Sequence, residues 1–499
     1  MNPENHSKPA QARAPASSLL DASHLSKDLN RRMAEGGAVT LGSQIAKLFL
    51  RLASGAILAR LLTPADFGVV ALVTLVTGFI ELFKDAGLSM ATIQRKTLHE
   101  AQINALFWIN VALATALMAI EILIAPAIAW FYNDSRLTAV TIALACLALF
   151  SGMSVQHQAL LRRRMQFRRL AAIEIISQIV GTGVAVYMAL QGFSYWSLVG
   201  MTAGTTLTTT LLSFTMSGWT PSRPSRAEGV GEMIRYGGNL AGASFFNYFT
   251  RNADNFVVGY MYGPASLGIY SRAYSIFLMP MNQFLAPVSS VVIPALSRVT
   301  DNAEQFRKIV LEKSYFVLFF VVFGTGFSFA AAPELVRILL GPAWGEVVPI
   351  VRCLAVGGAV YGTNMAGSWV SATRGNSHRQ LRVALIAGPL YATSYFIGGY
   401  FYGAIGVACA FSIVCALLRY PAFKYLLKDS PVTPQELLKP LLKVGSVAAV
   451  GVAAAMLIEL VPEFGFLLKL AAKLACYTAV FAVVHSGKLL PLPRVSLSN

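Results

Sequence analysis

Residues 51–68, RLASGAILARLLTPADFG, and residues 251–268, RNADNFVVGYMYGPASLG, lie 200 positions apart, and together they decide the fold. Both stretches begin with an arginine and end in a Pro-Ala-x-x-Gly motif. Upstream, Gly37, Gly42 and Phe49 are matched by Gly237, Gly242 and Phe249. This spacing predicts two copies of one unit, each opening with an arginine-bearing helix that ends in a tight turn.

The composition predicts a membrane protein. Of the 499 residues, 56% are hydrophobic and 13% are charged, and the mean hydropathy is +0.60. Soluble proteins carry about 25% charged residues. A soluble fold built from this chain would expose large apolar patches, which soluble monomers avoid.

Apolar runs of the length needed to cross a bilayer, about 20 residues, recur along the chain. They predict an all-α polytopic membrane protein of about 14 transmembrane helices, at 38–59, 67–88, 104–130, 138–160, 171–190, 195–217, 234–259, 266–291, 314–332, 347–372, 383–401, 404–420, 442–460 and 466–485. Alternate loops differ in charge: one set holds 22 Lys and Arg residues and the other holds Arg60, Arg136 and Arg337. By the positive-inside rule, we expect both termini to be cytoplasmic. We expect the membrane itself to be the bacterial inner membrane.

The repeat and the loops predict the domain organisation. Both first helices start on the cytoplasmic side, so the two units are parallel and relate by an axis along the membrane normal. The predicted segments are a disordered cytoplasmic tail (1–36), an N-terminal six-helix lobe (37–218), a linker (219–233), a C-terminal six-helix lobe (234–420), a second linker (421–441), two further helices (442–486) and a cytoplasmic tail (487–499).

Several predicted membrane helices carry charged or polar residues, which cost at least about 2.5–3.5 kcal/mol each at the bilayer centre. Lys47 and Arg51 lie one turn apart on the first helix, and Arg251 and Asp254 lie on the seventh. Asn247 precedes Arg251 by one turn, and Arg272 lies on the eighth helix. If these helices line the cleft between the lobes, the cations form a water-filled anion site, which suits a pyrophosphate.

Other interpretations of these residues stay open. Arg251 and Asp254 would also make an ion pair within one helix, and Lys47 would also reach the cytoplasmic surface. Arg272 would equally pair locally. Asp254 is a candidate for proton or Na⁺ coupling.

The sequence holds no recognisable catalytic or nucleotide-binding motif,. Its five cysteines lie in apolar stretches without a Cys-x-x-Cys pair. We therefore expect no enzyme activity, no cofactor and no metal site. The basic run 162–169 is interpreted as a topology determinant that contacts anionic lipid rather than nucleic acid.

The chain resembles the polysaccharide-transporter branch of the multidrug/oligosaccharidyl-lipid/polysaccharide flippase superfamily. Within that branch it is similar to Wzx-type flippases, particularly the exporters of colanic acid and xanthan. The likeness covers about residues 36–430. It is carried by ARLLTPADFG at 59–68, Gly87-Leu88, DNFVVG at 254–259, Gly268-Ile269-Tyr270, Tyr274 and VIPALS at 292–297.

The resemblance implies a V-shaped two-lobe fold that works by alternating access. It also implies a substrate, an undecaprenyl-pyrophosphate-linked oligosaccharide moved from the cytoplasmic to the periplasmic leaflet. The expected partners are this lipid-linked oligosaccharide, membrane lipids, a polysaccharide polymerase and a chain-length regulator. Two alternatives stay open: an ion-coupled exporter of small molecules, and a non-transporting membrane component of a polysaccharide assembly machine.

Overall fold

The computed structural model describes residues 29–81, 99–224, 230–460 and 465–486, with Ser89 and Thr92. Side chains are described for most of these residues, but not for 29–41, for 232–250 apart from Tyr248, or for part of 278–290. Most of both predicted tails and part of the first predicted linker lie outside the described residues. The first helix begins at Leu29, inside the segment predicted as a tail.

Helices account for nearly all of the described chain, and no strand occurs in it. They are α1 (Leu29–Leu61), α2 (Pro64–Glu81), α3 (Glu100–Phe131), α4 (Arg136–Arg163), α5 (Phe167–Leu190), α6 (Trp196–Ser217), α7 (230–262), α8 (264–297), α9 (Ala303–Ala330), α10 (Ala332–Leu339), α11 (Val347–Tyr361), α12 (Asn364–Thr373), α13 (377–401), α14 (404–426), α15 (Pro434–Leu457) and α16 (Phe466–Ser486).

Eight stretches of the described chain are long and apolar enough to cross a membrane, and Pro64–Gly78 is a shorter apolar helix. The predicted all-α, multi-pass membrane fold is confirmed. Helix α1 is not among the eight, and it carries Lys47, Arg51 and Arg60. Because charged side chains are costly in contact with lipid, those of α1 must face a partner or a water-filled cavity.

Two long helical stretches are broken by glycines. Gly263 separates α7 from α8 with a φ of 73°, and Gly403 separates α13 from α14 with a φ of 62°. Both values lie in the left-handed region that favours glycine over residues with a Cβ. These breaks fall between spans that the sequence predicts as separate.

The two Pro-Ala-x-x-Gly turns meet each other. A Cβ atom on Gly68 would overlap the carbonyl oxygen of Pro264, and one on Gly268 would overlap that of Pro64. The contact is reciprocal, as a two-fold relation between the repeats requires. We call this part of the molecule the turn end, and the opposite part, which holds residues 161–170, the basic end.

Arginines at the basic end cap a helix. The guanidinium groups of Arg164 and Arg169 donate to the carbonyl oxygens of Ser217 and Met216, at 2.7 and 2.8 Å. Those carbonyls lie in the last turn of α6, where no intrahelical donor is available. The basic run therefore has a structural role besides the predicted topological one.

One buried cation contributes to the docking of α15 and α16 on the second half, beside an apolar cluster shared with α9. Lys473 of α16 is fully buried. Its Nζ donates to the carbonyl oxygen of Ala330 and to carboxylate oxygens of Glu334 and Glu459, each at 2.9 Å. Arg352 of α11 also contacts Glu459, at 3.1 Å. This network joins the C-terminal pair of helices to α9, α10 and α11.

Candidate substrate cavity

A cavity of about 560 Å³ lies between the two halves of the molecule. Its walls come from α1, α2, α5 and α6 on one side and from α7, α8 and α10 on the other. The volume is within the range of about 300–1,000 Å³ that is usual for small-ligand sites. Among the described lining residues, two are cations, Arg51 and Arg272, and none is acidic.

Arg272 of α8 reaches across to the first half. Its guanidinium carbon lies 4.4 Å from the ring centre of Phe67 on α2. A terminal nitrogen lies 3.9 Å from where a Cβ on Gly55 would be. Its Nε is buried without a hydrogen-bond partner, and it forms no ion pair with a described residue. Arg272 therefore contacts the ring of Phe67, as one form of the local pairing left open above. No carboxylate of the described residues pairs with its charge.

Arg51 lies on the cavity wall one turn before Gly55. Four residues of helix correspond to about 6 Å along the axis. Arg51 and the guanidinium of Arg272 therefore lie at neighbouring depths, Arg51 nearer to the basic end. Arg51 is exposed to the cavity and forms no ion pair with any described side chain.

Lys47 is held by a carboxylate instead of facing the cavity. Its Nζ lies 2.5 Å from an oxygen of Glu174 on α5. Neither residue is among the described lining residues, although Gln178, one turn after Glu174, is. The sequence predicts that Lys47 converges with Arg51 and Arg251, and in the structure the ion pair holds the Lys47 amine toward α5. Any contact between Lys47 and substrate stays a prediction.

The seventh helix presents a different face from the one predicted. Tyr248, Asn252 and Asn255 line the cavity, spaced by four and three residues. Arg251 is exposed but is not among the described lining residues, and the side chain of Asn247 lies outside those described. The predicted face and the observed one differ by one residue, or about 100° around a helix.

Asp254 points into the second half rather than into the cavity. Its carboxylate accepts hydrogen bonds from the Tyr270 hydroxyl at 2.9 Å and from the Asn255 backbone amide at 2.8 Å. Asp254 is buried and Tyr270 is fully buried. The two described side chains Arg251 and Asp254 do not form an ion pair. The alternative of an internal ion pair is therefore wrong, and ion coupling by Asp254 stays a prediction.

Several polar lining residues were missed from the sequence. They are Ser54, Thr74, Gln178, Thr202, Ser271 and Ser275, besides Tyr248, Asn252 and Asn255. Hydroxyl and amide groups are common in membrane helices, where they bond to their own backbone. Only the spacing of Asn252 and Asn255 on one face of α7 was a usable signal.

Comparison with known proteins identifies the family. Residues 57–349 match the family described as "Polysaccharide biosynthesis protein", which is more than half of the chain. The chain belongs to this family. The match begins at residue 57, near the end of α1, and ends at the start of α11. It contains every lining residue from Leu58 onward, whereas Arg51 and the other lining residues of α1 up to Ala56 precede it.

Individual relatives agree with this family. The chain is 23% identical to the lipopolysaccharide biosynthesis protein WzxC of Escherichia coli (strain K12) over 368 residues, 72% of this chain and 73% of that protein. It is 25% identical to the succinoglycan biosynthesis transport protein ExoT of Rhizobium meliloti (strain 1021), over 60% of this chain and 61% of that protein. The predicted resemblance to polysaccharide transporters is confirmed.

Among solved structures, the fold is similar to the lipid II flippase MurJ in an inward closed conformation. The TM-score is 0.70 at 16% identity, covering 92% of this chain and all of that one. At this identity the likeness concerns the fold. It agrees with the predicted flippase superfamily architecture.

Proposed function

We propose that the protein is a flippase that moves undecaprenyl-pyrophosphate-linked oligosaccharide units from the cytoplasmic to the periplasmic leaflet during exopolysaccharide synthesis. The single observation that carries the proposal is the cavity between the halves, with two cations and no acidic residue in its described wall. The family match and the relatives named for polysaccharide export support the same substrate class.

The chemistry of the cavity suits an anionic headgroup. Arginine donates to phosphate oxygens through several N–H groups in one plane, and such charge-assisted bonds are stronger than neutral ones. Arg272 has an unpaired Nε, and Arg51 lies about one turn away along the cleft. We propose that both bind the pyrophosphate, while amide and hydroxyl groups from α5, α7 and α8 bind the first sugars.

Transport then requires that the two halves rock about this site. Contact between the Pro-Ala-x-x-Gly turns closes the turn end, which the charge distribution of the loops predicts to be periplasmic,. A cavity that bound the headgroup equally in both states would not bias the exchange. Direction must come from an ion gradient, the membrane potential or removal of the product.

We propose Asp254 as the ion-coupling residue. Its carboxylate is buried beside the hydroxyl of Tyr270, one helix position from the cavity residue Asn255. Protonation or Na⁺ binding at this carboxylate would change the contact between α7 and α8. In proteoliposomes with an imposed proton or Na⁺ gradient, wild-type flipping should respond to one of the two, and Asp254→Asn should abolish that response.

A liposome assay tests the main proposal. Purified protein is reconstituted with a fluorescent undecaprenyl-pyrophosphate-linked sugar, and dithionite added outside bleaches whatever reaches the outer leaflet. Wild-type protein should make the inner-leaflet pool accessible, and Arg51→Ala and Arg272→Ala should each slow this by about tenfold or more, because a charged hydrogen bond contributes about 1.5–3 kcal/mol.

Arg136→Ala is the matched control. Arg136 lies near the turn end, away from the cavity, 2.7 Å from Asp134. Its hydrogen bond lowers the pKa of Asp134 below the usual value, which indicates a local pair. Wild-type flipping by both cavity variants would defeat the proposal. Absence of flipping by well-folded wild-type protein would favour a non-transporting assembly component.

A further inference from the structure

At the closed turn end, one contact links Arg272 of the cavity to the contacts that hold the two halves together. We call these contacts, Trp344 with Ala59 and Arg60 with Ile338, the seal. Phe67 is buried in the first turn of α2. The guanidinium of Arg272 covers its face, and Trp344 packs edge-on against it, with ring centres 5.5 Å apart and an interplanar angle of 72°. Phe67 belongs to the first half, and both of its partners belong to the second.

The position of Phe67 is fixed by its own helix start. The Asp66 carboxylate accepts hydrogen bonds from the Thr63 amide at 2.8 Å and the Thr63 hydroxyl at 2.7 Å. The Ser194 hydroxyl, from the turn between α5 and α6, also donates to Asp66. A helix start held in this way gives the aromatic ring a defined place within the first half.

Trp344 ties the same ring to the seal. Trp344 is buried, and its indole N–H donates to the carbonyl oxygen of Ala59 at 2.8 Å. Next to it, the Arg60 guanidinium donates to the carbonyl oxygen of Ile338 at 2.6 Å. Both bonds join the end of α1 to the segment around α10. The turn end therefore cannot open unless Phe67 leaves Arg272 and Trp344 together.

We infer that Phe67 is a positioning residue for Arg272, and that anion binding at Arg272 weakens the seal of the turn end. This inference rests on the proposed function. The ring covers one face of the guanidinium, and Arg272 lines the cavity, so its terminal N–H groups in the guanidinium plane are the donors for an anion. Pairing with a phosphate cancels most of the charge that attracts the guanidinium to the ring. The bound anion thus favours the state in which the halves separate at the turn end.

The experiment measures the separation of the two halves at that end. Spin labels are placed at Ser135→Cys and Glu346→Cys, both exposed residues near the turn end, in protein whose five native cysteines are replaced and which still flips lipid. The two decisive variants are Phe67→Leu, which keeps an apolar side chain but loses the aromatic face, and Phe67→Tyr, which keeps the face.

Without ligand, Phe67→Leu should raise the ratio of long to short distances by about 2- to 30-fold, the equivalent of one cation–π contact. Phe67→Tyr should match the wild type. Inorganic pyrophosphate should raise the ratio in the wild type but not in Arg272→Ala, with sodium chloride of equal ionic strength as the control. Because Phe67→Leu also loses the ring contact with Trp344, it is repeated together with Arg272→Ala. A merely apolar or aromatic packing role would give the same change with and without Arg272.

The inference is overturned if Phe67→Leu gives the wild-type ratio, or if pyrophosphate leaves the wild-type distances unchanged. Failure of the proposed function looks different. In that case Arg51→Ala and Arg272→Ala flip lipid-linked sugar at the wild-type rate, whatever the distances show. If Arg51→Ala and Arg272→Ala lose flipping but Phe67→Leu keeps the wild-type distances, the proposed function stands. Only the link between anion binding and the seal is then wrong.

Discussion

At the edge of the cavity, the carboxylate of Glu174 neutralises the charge of Lys47 by forming an ion pair with it. The Lys47 amine is largely buried, whereas the Glu174 side chain is 37% exposed. Removing the amine alone would leave a carboxylate near the path of an anionic headgroup. At an effective dielectric constant of about 20, repulsion over 6–8 Å is about 2–3 kcal/mol before screening by salt.

We therefore expect Lys47→Ala to lower the flipping rate by about tenfold, and Lys47→Ala combined with Glu174→Gln to restore most of it. The two single variants and the double variant form a cycle that isolates the pair. The measurement is the dithionite assay in liposomes. A double variant as slow as Lys47→Ala would instead assign Lys47 to substrate, as the sequence predicts.

Of the four cations that the sequence places at the site, Arg51 and Arg272 line the cavity, whereas Lys47 and Arg251 are not among its described lining residues. Arg51 and Arg272 lie in the cavity because an unpaired cation has few other places in a membrane,. On α7, however, polar residues occupy adjacent faces, so their charges alone do not identify the face that lines a cavity. Asn252 and Asn255 face the cavity, whereas Asp254 is satisfied by Tyr270. A neighbouring tyrosine on another helix cannot be paired with Asp254 from spacing alone.

Among the helices, glycine marks the boundary between adjoining predicted spans, whereas the predicted span 347–372 is divided into α11 and α12. The breaks at Gly263 and Gly403 separate helices that otherwise run on. Helix α10 was missed, since its eight residues are too few to span a membrane,. Its last residue, Leu339, and Leu340 directly after it line the cavity, so this element is part of the site.

The contact between the two repeated turns gives the first prediction for helices. Gly68→Ala should displace the turn containing Pro264, because the added Cβ would overlap a backbone oxygen that cannot move alone. Overpacking costs about 1–3 kcal/mol, so the ratio of molecules closed at the turn end to molecules open there should fall by about 5- to 150-fold. Flipping should fall with it.

Gly183→Ala on α5 is the control, since no heavy atom lies within 4 Å of its Cβ position. The measurements are the spin-label distance between residues 135 and 346 and the flipping rate. Equal distances in Gly68→Ala and in Gly183→Ala would contradict the close approach of the turns.

Docking of α15 and α16 gives a second prediction for helices. In Lys473→Met, Glu334 loses its buried partner, whereas Glu459 keeps Arg352. Breaking a buried pair from one side costs about 3–5 kcal/mol, while removing both charges can be neutral. Thermal unfolding in detergent should show a large loss of stability for Lys473→Met and recovery in Lys473→Met with Glu334→Gln. No difference between these two variants would mean that Lys473 does not hold the helices in place.

For the whole molecule, we propose that the charge of the cleft between the two halves selects the cargo. The described wall contributes two positive charges and no negative one. Flipping should therefore follow the charge of the headgroup: fastest for a pyrophosphate-linked sugar, slower for the monophosphate and slowest for a neutral glycolipid with the same prenyl chain. Removing one charge-assisted hydrogen bond costs about 1.5–3 kcal/mol, or roughly 10- to 150-fold in rate.

The order of the three flipping rates distinguishes a flippase for anionic lipids from an exporter of cationic molecules with the same fold. Arg272→Ala should lessen the difference between pyrophosphate and monophosphate substrates, because it removes the cation held against Phe67, and it should leave the neutral lipid unaffected. The three lipids are compared in one liposome preparation at fixed salt, since screening weakens exposed charges. If the neutral lipid moves as fast as the pyrophosphate, or a cationic dye is expelled along a proton gradient, then the charge of the cleft does not select the substrate. The ion-coupled exporter would then be the better account of the same two arginines.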